Sequence, residues 1–415
     1  MYDWANSAYV TTVVAAVLPA YFAAAVVPEG GVELFGAKLT ASSLWGYLMS
    51  GTALIVFVLA PFLGAVADYS GSARKFLALF ALGGSALATL LFFSGPGDVV
   101  YTMVVFGLAH IFYISGNVFY DAFLVHIVPK SQFDDVSGRG FAYGYLGGGI
   151  QFGLALLLVS FHSKVGITQG EAVRISMAFA ALWWGGFSLI PILILDDPKP
   201  KEVGRKESLG KRIKGYAKIG FGQVANTTKQ VREIPGLLLF LIAFLLYNDG
   251  IQTVVSMATI YGKEQIGLST PMLMGTLLLI QFVAVAGSWG FGKLAGRIGP
   301  KWSLASTLVV WCGVAIYAFF LQTAVQFFIM GVIVGLVLGG SQALSRSIYA
   351  RLVPSEHSNE FFGYFSVFKR LSTIGGPLVF ALVTQLTGSS RLAIVSLVIF
   401  FLSGLVLLTR VKLDD

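Results

Sequence analysis

The sequence predicts an all-α membrane protein of twelve transmembrane helices in two pseudo-symmetric six-helix bundles. Three observations carry that prediction. Of its 415 residues, 56% are hydrophobic and only 12% charged, about half the charged share of a soluble domain. Apolar runs long enough to cross a bilayer recur along the whole chain. The longest polar interval, 196–234, divides those runs into two sets of six.

In order, the runs fall at about 3–27, 43–67, 75–94, 99–127, 139–161, 172–195, 235–261, 272–293, 301–321, 326–350, 360–386 and 391–410. Each is read as a helix, because a closed barrel would need short alternating strands. Pro19, Pro61, Pro191 and Pro377 lie inside runs, and spanning helices tolerate them. The first run has no basic region before it and no convincing processing site, so it reads as a span rather than a cleaved signal. The single cysteine, Cys312, excludes an intramolecular disulfide and any multi-cysteine metal site. The domain reading is a bundle at 1–195, a linker at 196–234 and a bundle at 235–415.

Basic residues set the expected orientation. With the central interval inside, inner segments hold twenty-one of them, ten between 199 and 232. Outer segments hold five: Lys38, Lys164, Arg174, Lys263 and Arg391. Both termini are therefore expected in the cytoplasm, and the net charge of +8 reflects topology rather than nucleic-acid binding. Within the linker, Leu209, Ile213, Tyr216, Ala217, Ile219 and Val224 share one helical face, with Lys206, Lys211, Arg212, Lys214 and Lys218 around it. A basic amphipathic helix on the inner leaflet fits this pattern, as does a solvated linker.

The two halves repeat. At an offset of 225, Val128-Pro129 falls on Val353-Pro354, Gly138 on Gly363 and Asp121 on Arg346. At an offset of 228, the loop Gly64-Ala65-Val66-Ala67-Asp68-Tyr69-Ser70-Gly71 falls on Gly292-Lys293-Leu294-Ala295-Gly296-Arg297-Ile298-Gly299. An ancient six-helix duplication explains both, and parallel repeats of this kind belong to transporters with a solute site between the halves.

The loop Gly64…Asp68…Gly71…Arg74-Lys75 resembles the motif between helices two and three of the major facilitator superfamily. It departs from the usual form at Tyr69, where arginine is common, and at Ser72-Ala73 before the basic pair. The stretches Tyr2-Asp3-Trp4-Ala5-Asn6-Ser7-Ala8-Tyr9 and Tyr247-Asn248-Asp249-Gly250 are similar to signatures of the autophagy-related vacuolar effluxer family and its bacterial relatives. Members usually carry a short segment ahead of that octapeptide, whereas here Met1 directly precedes it. The resemblance implies the major facilitator fold, with spans one, four, seven and ten lining a cavity. It also implies transport, the family's fungal member being associated with amino-acid export from the vacuole.

Charged residues inside the apolar runs are the candidate site. Asp249 lies roughly 18 Å into a hydrocarbon layer of about 30 Å, where an acid costs about 2.5–3.5 kcal/mol. Asp121 and Arg346 each precede their Val-Pro pair by seven residues, and Lys369 and Arg370 enter span eleven from the same side. Asp3 completes three acids and three bases, costly when unpaired and switchable when paired across helices. Asp249 is the expected proton-binding group, releasing Arg346 or Lys369 when protonated. Arg346, Lys369 and Arg370 are expected to hold a substrate carboxylate or phosphate; permanent pairing with the acids is the alternative. Asn6, Gln151, Asn248, Gln252 and Gln342 are polar neighbours along the solute and proton pathway, and Gly64, Asp68, Gly71 and Arg74 form the gating loop. The Gly144, Gly147, Gly148, Gly149 and Gly153 cluster in span five reads as a close-packing face.

The function expected is secondary active transport of a small polar solute such as an amino acid, proton-coupled and outward. Alternating access would be driven by an ion gradient and no bound cofactor. The expected partners are the solute and the lipid bilayer, the expected state a monomer, and the expected location a bacterial cytoplasmic membrane. A membrane-embedded enzyme or a solute sensor is the alternative. Against the enzyme, the sequence shows no His-Glu-x-x-His, no Walker loop and no serine elbow.

Overall fold

The computed structural model describes residues 1–28, 31–34, 37–39, 41–197, 229–268 and 270–413. Among these, twelve helical segments are long and apolar enough to cross a membrane. Their bounds follow the apolar runs closely, from Tyr2–Val26 through Leu237–Ala258 to Ser390–Arg410. Large apolar side chains such as Leu193, Ile399 and Leu386 remain exposed, Leu386 by 83%. In water such a surface would drive association; in hydrocarbon it carries no penalty. The amphipathic helix expected at 206–224 lies outside the described residues.

The duplication reaches the backbone. Span four is a helix at Val99–Ile127 and span ten a helix at Ala324–Leu352, an offset of 225 at both ends. Each stops at its Val-Pro pair, because the residue before proline is pushed out of the α region. A single 3-10 turn follows in each copy, Lys130–Gln132 and Ser355–His357. The next helices then open at Phe133 and Ser358, again at 225. The loop repeat behaves alike: Gly71 and Gly299 both take positive φ, 57° and 82°. Only glycine adopts that conformation cheaply, so sequence and geometry repeat together.

Two spans depart from the expectation of plain α-helices. Span one is wound as a π-helix over Tyr9–Val17 and again over Phe22–Val26, with an α-turn at Leu18–Tyr21 between them. Span eleven, expected as one helix over 360–386, is two: Ser358–Leu371 and Gly375–Thr387. The turn between them carries short-range bonds, Thr373 N–H to Arg370 O and Ile374 N–H to Leu371 O. The break falls where Gly375-Gly376 and Pro377 follow Ser372-Thr373, a run that weakens the helix from both sides.

By packing, the described chain forms two compact units whose boundary runs through helices. One comprises the described residues of 1–60, 69–120 and 143–197. Its core is aromatic, with Tyr9 stacked on Trp184 at 5.0 Å and Trp45 on Phe106 at 4.9 Å. Gly144, Gly147 and Gly148 of span five lie against Asp3, Trp4 and Ser7 of span one, so they serve close packing. The other unit comprises 61–68, 121–142 and the described residues from 229 onward. Here spans eight and ten approach at glycines, Gly287 against the Leu336 backbone and Gly339 against Ala284 and Ser288. The two Val-Pro turns face one another across a cleft of about 530 Å³ in this second unit.

Candidate functional site

In the second unit the first Val-Pro turn brings the start of span five against span ten. Asp121, on the last turns of span four, receives two cations: Arg346 Nη1 at 3.2 Å and Lys369 Nζ at 3.1 Å. Asp121 and Arg346 are buried, while the Lys369 side chain is 39% exposed. Arg346 has further partners, donating from Nε to Ser137 Oγ at 2.9 Å and from Nη2 to Ser137 O at 3.0 Å. Its guanidinium also lies 4.4 Å from the Phe141 ring. With this many ligands the guanidinium is held in one place, which repays part of its desolvation. Beside it, buried Asp134 pairs with Arg351 and accepts from Ser347 Oγ at 2.6 Å.

The pairing differs from the sequence expectation in one respect. Arg346 and Lys369 sit on Asp121 and not on Asp249. No lysine or arginine among the described residues pairs with Asp249, which is 5% exposed and whose Oδ1 accepts no hydrogen bond. Its carboxylate instead abuts the start of the second half of span eleven: a Cβ on Gly375 would stand 2.6 Å from Oδ2. A helix N-terminus carries about half a positive charge and holds an anion without a basic side chain. Gly375 and Gly376 allow the approach, and Thr253 Oγ1 donates to the backbone Asp249 O at 2.7 Å.

Asn248 joins the two clusters. Its Nδ2 donates to Ser372 Oγ at 2.6 Å, and Ser372 Oγ donates to Lys369 O at 2.9 Å. A hydrogen-bonded path therefore runs from the residue beside Asp249, through the break in span eleven, to the lysine on Asp121. Tyr247 anchors the same stretch to span ten through Ser345 Oγ at 2.7 Å. Gln252, Gln342 and Arg370 are half-buried.

The candidates of the first unit form their own group. Asp3 Oδ2 accepts from Tyr120 Oη at 2.7 Å, and Tyr120 packs on Tyr2. Asn6 Nδ2 donates to Asn117 Oδ1 at 2.7 Å, and Thr12 bonds to Gln151 across the π-wound segment.

The loop expected to gate divides. Arg74 bonds to the end of span six, Nη1 to Leu195 O at 3.0 Å and its backbone N–H to Asp197 Oδ1 at 2.6 Å. Asp68 accepts from Asn359 N at 3.2 Å, Asn359 Nδ2 at 2.7 Å and Glu360 N at 2.8 Å, capping the first turn of span eleven. Gly64 makes this contact possible, since a Cβ there would stand 2.8 Å from Glu360 Cα.

Sequence reasoning missed Ser137, Phe141, Asp134 and Arg351. The available signal was their nearness to the Val-Pro pairs; Asp134 in the first helical turn reads as an ordinary N-terminal acid.

Twelve spans, a six-helix duplication and a buried ion-pair cluster at one helix end define an integral multi-pass membrane transporter of the major facilitator class. Within it, the chain belongs to the family described as vacuole effluxer Atg22 like, whose pattern matches residues 1–415. It is 36% identical over 417 residues to an uncharacterised MFS-type transporter of Bacillus subtilis, YxiO, covering 99% of this chain and 93% of that protein. Autophagy-related protein 22 of Saccharomyces cerevisiae is 28% identical over 284 residues, covering 62% of this chain and 53% of the yeast protein. This chain thus matches about half the length of that fungal relative. Two solved structures share the fold at 13% identity and a TM-score of 0.68. The human organic anion transporter MFSD10 covers 98% of this chain and 97% of its own, and FucP in its outward conformation covers 100% and 97%.

Proposed function

We propose that the protein is a proton-coupled secondary transporter that moves a small polar solute, such as an amino acid, out of the cytoplasm by alternating access. Both termini and the Val-Pro turns lie on the cytoplasmic side of a bacterial inner membrane, and the protein works as a monomer. The gradient drives it, with no bound cofactor. Asp249 takes the proton. The reading is supported by one observation above all: a buried acid with no cationic partner among the described residues abuts a helix break that is hydrogen-bonded to an ion-pair cluster.

Protonation removes the anion from the start of the 375–387 half-helix and weakens its hold there. The Asn248–Ser372–Lys369 path then passes the change to Asp121, whose ion pairs with Arg346 and Lys369 close the Val-Pro end. Lys369 and Arg370 hold an anionic group of the solute. Arg346, anchored on Ser137 and Phe141, acts as the fixed half of the latch.

Asp249→Asn, reconstituted in liposomes, tests this. It should abolish flux driven by a pH gradient while solute exchange at equal pH continues. Full gradient-driven flux in that variant would remove Asp249 as the coupling site.

A further inference from the structure

We infer that Asp68, His357 and Glu360 form a binding site for a divalent transition-metal ion, of the class of Zn²⁺ or Mn²⁺. One donor atom from each lies within 4.8 Å of the other two. Asp68 comes from the end of span two, His357 from the 3-10 turn after Pro354, and Glu360 from the first turn of span eleven.

Burial and charge carry the inference. Glu360 is fully buried, and its Oε2 faces His357 Nδ1 at 3.8 Å. Asp68 has its own compensation, three N–H donors and a helix N-terminus worth about half a charge. Those donors, two on Oδ1 and one on Oδ2, fix the orientation of its carboxylate, as outer partners of metal ligands do. Two carboxylates thus converge with one imidazole. A protonated His357 would neutralise one of them; a dication neutralises both. The imidazole selects against Mg²⁺ and Ca²⁺, which prefer all-oxygen sites, and in favour of Zn²⁺ and its neighbours. Donors about 2.1 Å from a tetrahedral Zn²⁺ stand about 3.4 Å apart. The present separations lie within 4.8 Å, so the side chains would draw together around the ion, and the His357 side chain is 19% exposed. A bound ion would tie the end of span two to the start of span eleven.

The test is metal titration of the purified full chain, read by calorimetry and thermal stability. Zn²⁺ should saturate at one equivalent and raise the melting temperature, with Mg²⁺ without effect. His357→Ala and Glu360→Gln should each weaken Zn²⁺ binding by about tenfold or more. His162→Ala, altering a histidine bonded to Ile167 O, should bind as the wild type does. A measurement on the unaltered chain guards against misfolded variants: Zn²⁺ should protect His357, and not His162, from a histidine-modifying reagent, read by mass spectrometry. Equal titration of wild type and His357→Ala, no saturable Zn²⁺ binding, or equal labelling of His357 with and without Zn²⁺ would each overturn the site.

Discussion

Two helix crossings at the Val-Pro end of the second unit share a backbone and differ in chemistry. Gly64 of span two meets the backbone of Asn359 and Glu360, while Gly292 of span eight meets the carbonyl of Asp134 and Cα of Gly138. Glycines 64 and 292 are related by the loop offset, and residues 134 and 359 by the Val-Pro offset, so one contact is built twice. Beyond the glycines the copies diverge. Four residues after Gly64 stands Asp68, capping span eleven; four after Gly292 stands Gly296, which has no side chain to offer. The start of span five is secured instead by Asp134 on Arg351 and by Ser137 on Arg346, itself tied to Asp121. Duplication has kept what sterics demand and let the charges differentiate.

That contrast ranks the substitutions that would break it. Asp121→Asn should cost most, about 4 kcal/mol, because it strips buried Arg346 of its anion; denaturant or thermal unfolding in detergent reads this. Lys369→Met should cost under about 1 kcal/mol, since that ammonium is partly solvated. Its signature should be functional, weakening anionic solutes more than neutral ones in competition for transport. Gly64→Ala should come next in stability, about 3 kcal/mol, because its Cβ meets backbone that cannot yield. Gly292→Ala should cost about 1 kcal/mol, its nearest contact being 3.0 Å from Asp134 O. Equal losses at the two glycines would show that the crossings are not under unequal strain. Asp68→Asn should cost least, about 0.5 kcal/mol, the value of a charge at a helix start. A loss as large as that of Asp121→Asn would make the two regions electrostatically equivalent.

The repeat was legible because glycine and proline dictate backbone directly: Gly71 and Gly299 share a φ sign, and each Val-Pro pair stops a helix. Asp121, Arg346 and Lys369 were legible because charge in an apolar run is conspicuous. Their pairing was not, since three bases at similar depth offer several matches and only packing chooses among them. The break at Ser372–Ile374 escaped because spanning helices tolerate glycine and proline, so Gly375-Gly376-Pro377 alone does not distinguish a kink from a stop. Glu360 and His357 stand at the expected start of span eleven with nothing in the sequence to link them to Asp68, and only the fold brings the three together.

The π-wound first span has a mechanical consequence. The π-winding of Tyr9–Val17 takes hydrogen bonds one residue further back than an α-helix does, as from Leu18 N–H to Val13 O, so the segment is wider and shorter for its residue count. Rewinding it to α would lengthen the rod and swivel Tyr2–Ala8 about its own axis, carrying Asp3 and Asn6 away from Tyr120 and Asn117. A change of winding alone would therefore turn span one, with no hinge at either end.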